Sequence, residues 1–134
     1  MPTAAFSSAH LDALTGTAHL ATHDASGVTV VRLREARLDA HVAVDLKRRL
    51  ASMIDAGLRR LVLDLTDVQF MDSSGLGALV AALKLVGHDG ELALAGVHPG
   101  VHELFALTRM DRVFQIYVSP EAAAAVLRGA PALA

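Results

Sequence analysis

A chain of 134 residues, 53% of them hydrophobic and 19% charged, has the length and composition of one folded domain that can bury a core without disulfides or a structural metal. Its formal charge of -2 at pH 7 gives no general pull toward phosphate backbones or anionic lipid. Cysteine is absent, which excludes disulfides, thiolate metal sites and cysteine nucleophiles together.

Neither a membrane span nor an export signal is expected. The apolar stretch 75–83 stops at Lys84 after nine residues, well short of the ~20 a bilayer requires. The start, Met1-Pro2-Thr3-Ala4-Ala5-Phe6, has no basic residue and no continuous apolar run, so the expected location is the cytoplasm. Lys47-Arg48-Arg49 and Arg59-Arg60 flank or lie on the outer face of a helical pattern. They read as solvated surface, and no nucleic-acid contact is expected.

In chain order, residues 1–16 read as an N-terminal extension. Within it Phe6, Leu11 and Leu14 suit either one short helix packed back on the domain or a mobile segment. The turn signal Asp24-Ala25-Ser26-Gly27, between residues 19–22 and the β-branched run Val28–Leu33, predicts a β-hairpin. Val42, Leu46, Leu50, Met53 and Ile54 form the stripe of an amphipathic helix, with Asp39 placed to cap its start and Gly57 to end it. Leu61-Val62-Leu63-Asp64-Leu65 suits a buried strand, and residues 66–71 lead from it into Asp72-Ser73-Ser74-Gly75, where a second helix should begin. Its inward face would be Leu76, Leu79, Val80 and Leu83, with Gly87-His88-Asp89-Gly90 closing it before a strand at Glu91–Ala95. Val101, Leu104, Phe105 and Thr108 predict a third helix opening near Pro99. A strand over Val113-Phe114-Gln115-Ile116-Tyr117-Val118 follows, then an alanine-rich last helix reaching about Leu127 and capped by Ser119. Strands alternate with helices and no linker interrupts them. The expected architecture is therefore a single α/β layer structure over 17–129, with parallel pairing across the helical crossovers, a mixed sheet because of the hairpin, and a tail at 130–134.

The informative stretch is Phe70-Met71-Asp72-Ser73-Ser74-Gly75-Leu76-Gly77, in which a strand delivers two hydroxyls and two glycines to the first turn of a helix. One reading is structural: Ser73 or Ser74 caps the helix by accepting a hydrogen bond from an otherwise unpartnered amide. The other is functional: one hydroxyl is modified, because the free amides and positive dipole end of a helix N-terminus tolerate a phosphate. The glycines would then let another molecule come close. Asp72 would make the surroundings acidic, as would Asp39 if the sheet order brings the two helix starts together.

Asp72-Ser73-Ser74-Gly75-Leu76-Gly77, preceded by Leu61-Val62-Leu63-Asp64-Leu65 and Phe70-Met71, resembles the signature of STAS domains, and specifically of bacterial anti-sigma factor antagonists. Two further blocks are similar in the same order. These are Val30-Val31-Arg32-Leu33 with Leu38-Asp39, and Leu104-Phe105-Ala106-Leu107-Thr108 with Asp111-Arg112-Val113-Phe114-Gln115-Ile116-Tyr117. The chain departs from the pattern where the family has Gly-Glu-Leu-Asp and this sequence reads Glu35-Ala36-Arg37-Leu38-Asp39, and where Arg109-Met110 replaces a common glycine-leucine pair.

The resemblance implies a STAS-like mixed β-sheet of four to five strands with helices packed mainly on one face, and reversible phosphorylation of the first serine, Ser73. It implies two partners: a serine kinase that is itself an anti-sigma factor, bound by the unmodified domain, and a phosphoserine phosphatase. Partner contact is expected at Asp39, Asp72, Ser74, Gly75, Leu76 and Gly77. A homodimer is open. Alternatives that keep the fold are a non-switching scaffold or adaptor subunit, stressosome-like or partnered with a lipid transporter, and a phosphoserine regulator of another signalling pathway.

No enzymatic activity, cofactor or metal is expected. His98 and His102 have the four-residue spacing of metal ligands on one helix face, but without a third ligand they read as surface histidines. Ser73 does not sit in the Gly-x-Ser-x-Gly elbow of a hydrolase, and no phosphate-binding or dinucleotide glycine motif is present.

Overall fold

The structure, a computed structural model, describes residues 18–129. The extension with Phe6, Leu11 and Leu14 and the tail at 130–134 lie outside the described residues.

The chain opens with a hairpin of β1 (Leu20–Ala25) and β2 (Val28–Leu33), paired antiparallel from Leu20 with Leu33 to Ala25 with Val28. The turn is only two residues long. Ser26 and Gly27 have φ of 57° and 88°, the left-handed pair whose twist matches that of the flanking strands. Asp24 and Ala25, expected in the turn, therefore extend β1. After the two-residue strand β3 (Arg37–Leu38), helix α1 (Ala40–Asp55) crosses to β4 (Arg60–Asp64). A second short strand, β5 (Phe70–Met71), precedes helix α2 (Ser73–Val86), which leads to β6 (Glu91–Ala95). Helix α3 (Pro99–Leu107) and a 3-10 turn (Met110–Arg112) lead to β7 (Gln115–Tyr117), and α4 (Pro120–Leu127) closes the fold.

Five strands form one sheet in the order β1-β2-β4-β6-β7, with every pairing after the hairpin parallel. The predicted strand 113–118 is shorter in the structure, because Phe114 turns inward to meet the Phe105 ring edge-on at 5.9 Å and the 3-10 turn consumes the residues before it. Leu33, Leu61, Leu63 and Leu94 point to one face, where α1, α2 and α3 cover them. Val28, Val30, Val62, Ala93 and Ala95 point to the other, where α4 packs with Ala123, Ala124 and Leu127. Burial on both faces explains why β4 reads as a continuous apolar run and not as an alternating one. The alanines of β6 and α4 let the helix lie close to the sheet.

One basic cluster is not what its sequence suggests. Lys47 and Arg48 are exposed, but Arg49 is buried at 3%. Its guanidinium donates to Asp45 Oδ2 at 3.1 Å and to the Ala18 carbonyl at 2.7 Å, and the Ala18 amide donates to the same Asp45 oxygen at 2.9 Å. Burial lowers the Arg49 guanidinium from its ordinary value, and these hydrogen bonds, which offset part of the desolvation, fix the start of the described chain against α1.

Candidate functional site

The site is built by the two shortest strands. β3 and β5 pair in parallel, Arg37 with Phe70 and Leu38 with Met71, forming a separate two-stranded ribbon. The residue after each strand, Asp39 and Asp72, is the N-cap of the helix that follows, α1 and α2 respectively. The two caps are nearly superposable in conformation: φ and ψ are -105° and -173° at Asp39, and -107° and -174° at Asp72. Asp39 Oδ1 accepts from the Val42 amide at 3.2 Å, and Asp72 Oδ1 from the Gly75 amide at 3.1 Å. The Asp72 amide donates back to the Leu38 carbonyl at 3.3 Å. The ribbon thus sets two helix starts side by side, with Asp39 next to Asp72.

Capping by Asp72 changes the status of the serines. Neither Ser73 nor Ser74 is the cap; they occupy the first two positions of α2 with exposed side chains. The structural reading of the serines is corrected accordingly. Asp72 takes the bond because β5 ends one residue before it, held there by pairing with Leu38. Two exposed hydroxyls remain at the positive end of a 14-residue helix, where a negative group is favoured by free amides and the helix dipole.

The two glycines have separate roles. A Cβ on Gly75 would stand 2.5 Å from the Leu38 carbonyl oxygen and 2.7 Å from Leu38 Cγ. Gly75 is buried because α2 passes directly against β3, and its openness serves internal packing, not an incoming molecule. Leu76 is likewise buried in the core. Gly77 is exposed, with open space where a Cβ would be. Of the expected contact residues, Ser74 and Gly77 are on the surface and Asp39 and Asp72 are partly exposed, while Gly75 and Leu76 seat the helix from within.

Two neighbours did not emerge from the sequence as site residues. Arg37 lies over the Phe70 ring, its guanidinium carbon 4.2 Å from the centroid, and its Nε is 3.9 Å from Asp39 Oδ2. Phe70 is 40% exposed. The signal that would have found this pair is the β3–β5 ladder, and two-residue strands leave no periodicity to read.

Arg32, the penultimate residue of β2, holds Asp67, in the loop before β5, with hydrogen bonds of 3.1 and 2.8 Å. That guanidinium keeps the Asp67 carboxyl below the usual carboxylate range. His98 is at the N-cap position of α3, outside the helix, and its Nε2 lies 2.8 Å from the Thr66 carbonyl. Both histidines are exposed, His98 bound to that carbonyl and His102 in the first turn of the helix. Among the described residues no group of three or more histidines or carboxylates is arranged to hold a metal, and no helix is long and apolar enough to cross a membrane. The Asp72 carboxylate, which a hydrolytic triad would aim at an imidazole, caps α2 instead.

Residues 19–123 match the sequence profile of the STAS domain family, and the chain belongs to that family. It is 36% identical over 93 residues to the anti-sigma F factor antagonist of Paenibacillus polymyxa, covering 68% of this chain and 79% of that protein. It is 32% identical over 80 residues to the anti-sigma-B factor antagonist of Staphylococcus aureus, covering 59% of this chain and 74% of its relative. The fold matches the crystal structure of an anti-sigma factor antagonist from Mycobacterium paratuberculosis with a TM-score of 0.76 and 25% identity, over 84% of this chain and 95% of the other.

Proposed function

We propose that the protein is an anti-sigma factor antagonist that acts as a phosphorylation-controlled binding module and not as an enzyme, working in the cytoplasm. Unmodified, it binds a serine-kinase anti-sigma factor and so frees the sigma factor. Phosphorylation of Ser73 by that kinase ends the binding, and a phosphoserine phosphatase restores it. The observation that carries the reading is the exposed Ser73 at the first position of α2, relieved of capping duty by Asp72. The relatives named as antagonists support it.

The contact surface is centred on Ser73, with Ser74, Gly77, Asp72 and Asp39 around it and Gly75 and Leu76 beneath. A phosphoserine carrying close to -2, about 5 Å from a partner carboxylate at an effective dielectric of about 20, repels it by roughly 6–7 kcal/mol before salt screening. A quarter of that exceeds tenfold in affinity. The switch therefore needs no change of fold.

The test is the affinity of the Ser73 variants for the host's own anti-sigma factors, each purified. Ser73→Ala should bind as tightly as the unmodified protein and resist inactivation by ATP, while Ser73→Asp should bind at least tenfold more weakly. Equal affinity of the two variants would overturn the reading.

A further inference from the structure

We propose that the Arg37–Phe70 stack is a specificity-determining contact, and that the surface it forms beside Ser73 receives an acidic side chain of the partner. The inference rests on the reading of Ser73 as a switch and names the chemistry of the surface that Ser73 meets.

The geometry presents a held cation with spare capacity. The guanidinium of Arg37 is stacked 4.2 Å above Phe70, and its side chain is 63% exposed. Its carboxylate neighbour Asp39 is 3.9 Å away, beyond hydrogen-bond length, and Asp39 Oδ1 accepts from the Val42 amide. A planar guanidinium on an aromatic face keeps its N–H edge free for a bidentate carboxylate, and stacking limits the entropy lost when one binds. The exposed part of the Phe70 ring adds an apolar margin, so the element suits a carboxylate on an aliphatic stem.

The placement ties this cation to the switch. Arg37 and Phe70 are register partners on the ribbon whose next-but-one residues, Asp39 and Asp72, cap α1 and α2. Ser73 follows directly. Repulsion by a phosphate on Ser73 requires an anion of the partner within a few ångströms, and Arg37 is the exposed cation of this ribbon that would hold one there. An acidic partner group at Arg37 thus supplies both attraction in the unmodified state and repulsion in the modified one. A partner presenting a cation there would meet the wrong sign, so the residue separates partners as well as binding one.

The experiment measures affinity of the full chain for each purified anti-sigma factor of the host by calorimetry, at two salt concentrations, with Ser73→Asp run alongside. For the factor that binds, Arg37→Gln should weaken binding about tenfold and Arg37→Glu about a hundredfold, with Arg37→Lys between them and the native protein. The salt dependence should become shallower in Arg37→Gln. Melting temperatures unchanged in all three variants would show that the exposed substitution leaves the fold intact. If Ser73→Asp abolishes binding while Arg37→Glu binds like the native protein, the inference is overturned and the switch stands. If Arg37→Gln alters affinity only when combined with Ser73→Asp, Arg37 answers the negative charge at position 73 and not a partner carboxylate, which also overturns it. If Ser73→Asp has no effect but Arg37→Glu does, the switch is overturned and with it the tie of Arg37 to Ser73, leaving only a partner contact at Arg37. Indifference to both, or no binding by any factor, overturns both.

Discussion

Asp72 stands beside two serines that could have done its work. Aspartate and serine are about equally good N-caps, so Asp72-Ser73-Ser74 offers three successive capping side chains and local sequence does not choose among them. The choice is made by where β5 stops, one residue before Asp72. This assignment predicts unequal costs in urea unfolding. Asp72→Ala should lose about 1 kcal/mol, whereas Ser73→Ala should stay within about 0.5 kcal/mol of the native protein. Ser73→Asp, which adds negative charge at the helix start, should be as stable or more so by about 0.3–1 kcal/mol. A large loss in Ser73→Ala would mean that the serine is a structural cap after all. A collapse in Ser73→Asp would mean that phosphorylation acts by unfolding α2.

At the level of elements, the ribbon of β3 and β5 is what turns two separate helix starts into one surface. The ribbon escaped the sequence reading for a physical reason: Arg37–Leu38 and Phe70–Met71 are too short for an alternation to register. The longer elements were legible because each carries a full pattern, as in the stripe from Val42 to Ile54 or the run through Leu61 and Leu63. Gly75 tests the ribbon directly. An alanine there meets a backbone carbonyl at 2.5 Å, and this cannot yield as a flexible side chain would. Gly75→Ala should therefore cost about 1–3 kcal/mol and slow phosphorylation of Ser73, whereas Gly77→Ala, with open space around it, should do neither. The Arg32–Asp67 pair ties the loop before β5 to β2 and gives a pH signature. Because Arg32 lowers the Asp67 value in the folded state, the pair's small, solvent-screened contribution is complete above the unfolded carboxylate value and fades as pH falls through the lowered one. Carboxyl-carbon NMR should show Asp67 titrating below the usual range in the native protein and rising in Arg32→Gln.

On the scale of the whole molecule, the mixed sheet and its three parallel crossovers followed from the alternation of strands and helices, because βαβ units admit few arrangements. Composition alone could not foresee that Arg49 turns inward. A basic triplet on a helix reads as solvated, and only the tertiary partners, Asp45 and the Ala18 backbone, make its burial tolerable. Removing Asp45 strands that guanidinium, so Asp45→Ala should destabilise the fold by about 3 kcal/mol or more in chemical denaturation. It should leave the affinity of the remaining folded protein for its partner unchanged, since Asp45 is buried against Ala18 and Arg49 and takes no part in the exposed Ser73 surface. The central claim is that a rigid α/β frame displays Ser73 for modification. It is tested most directly by intact mass and phosphosite mapping of the full chain after incubation with ATP and cytosolic extract of its own host, with Ser73→Ala in parallel. The account predicts a single added phosphate on Ser73, absent from the variant. A phosphate on Ser74 or elsewhere, or none while another STAS protein in the same extract is modified, would contradict it.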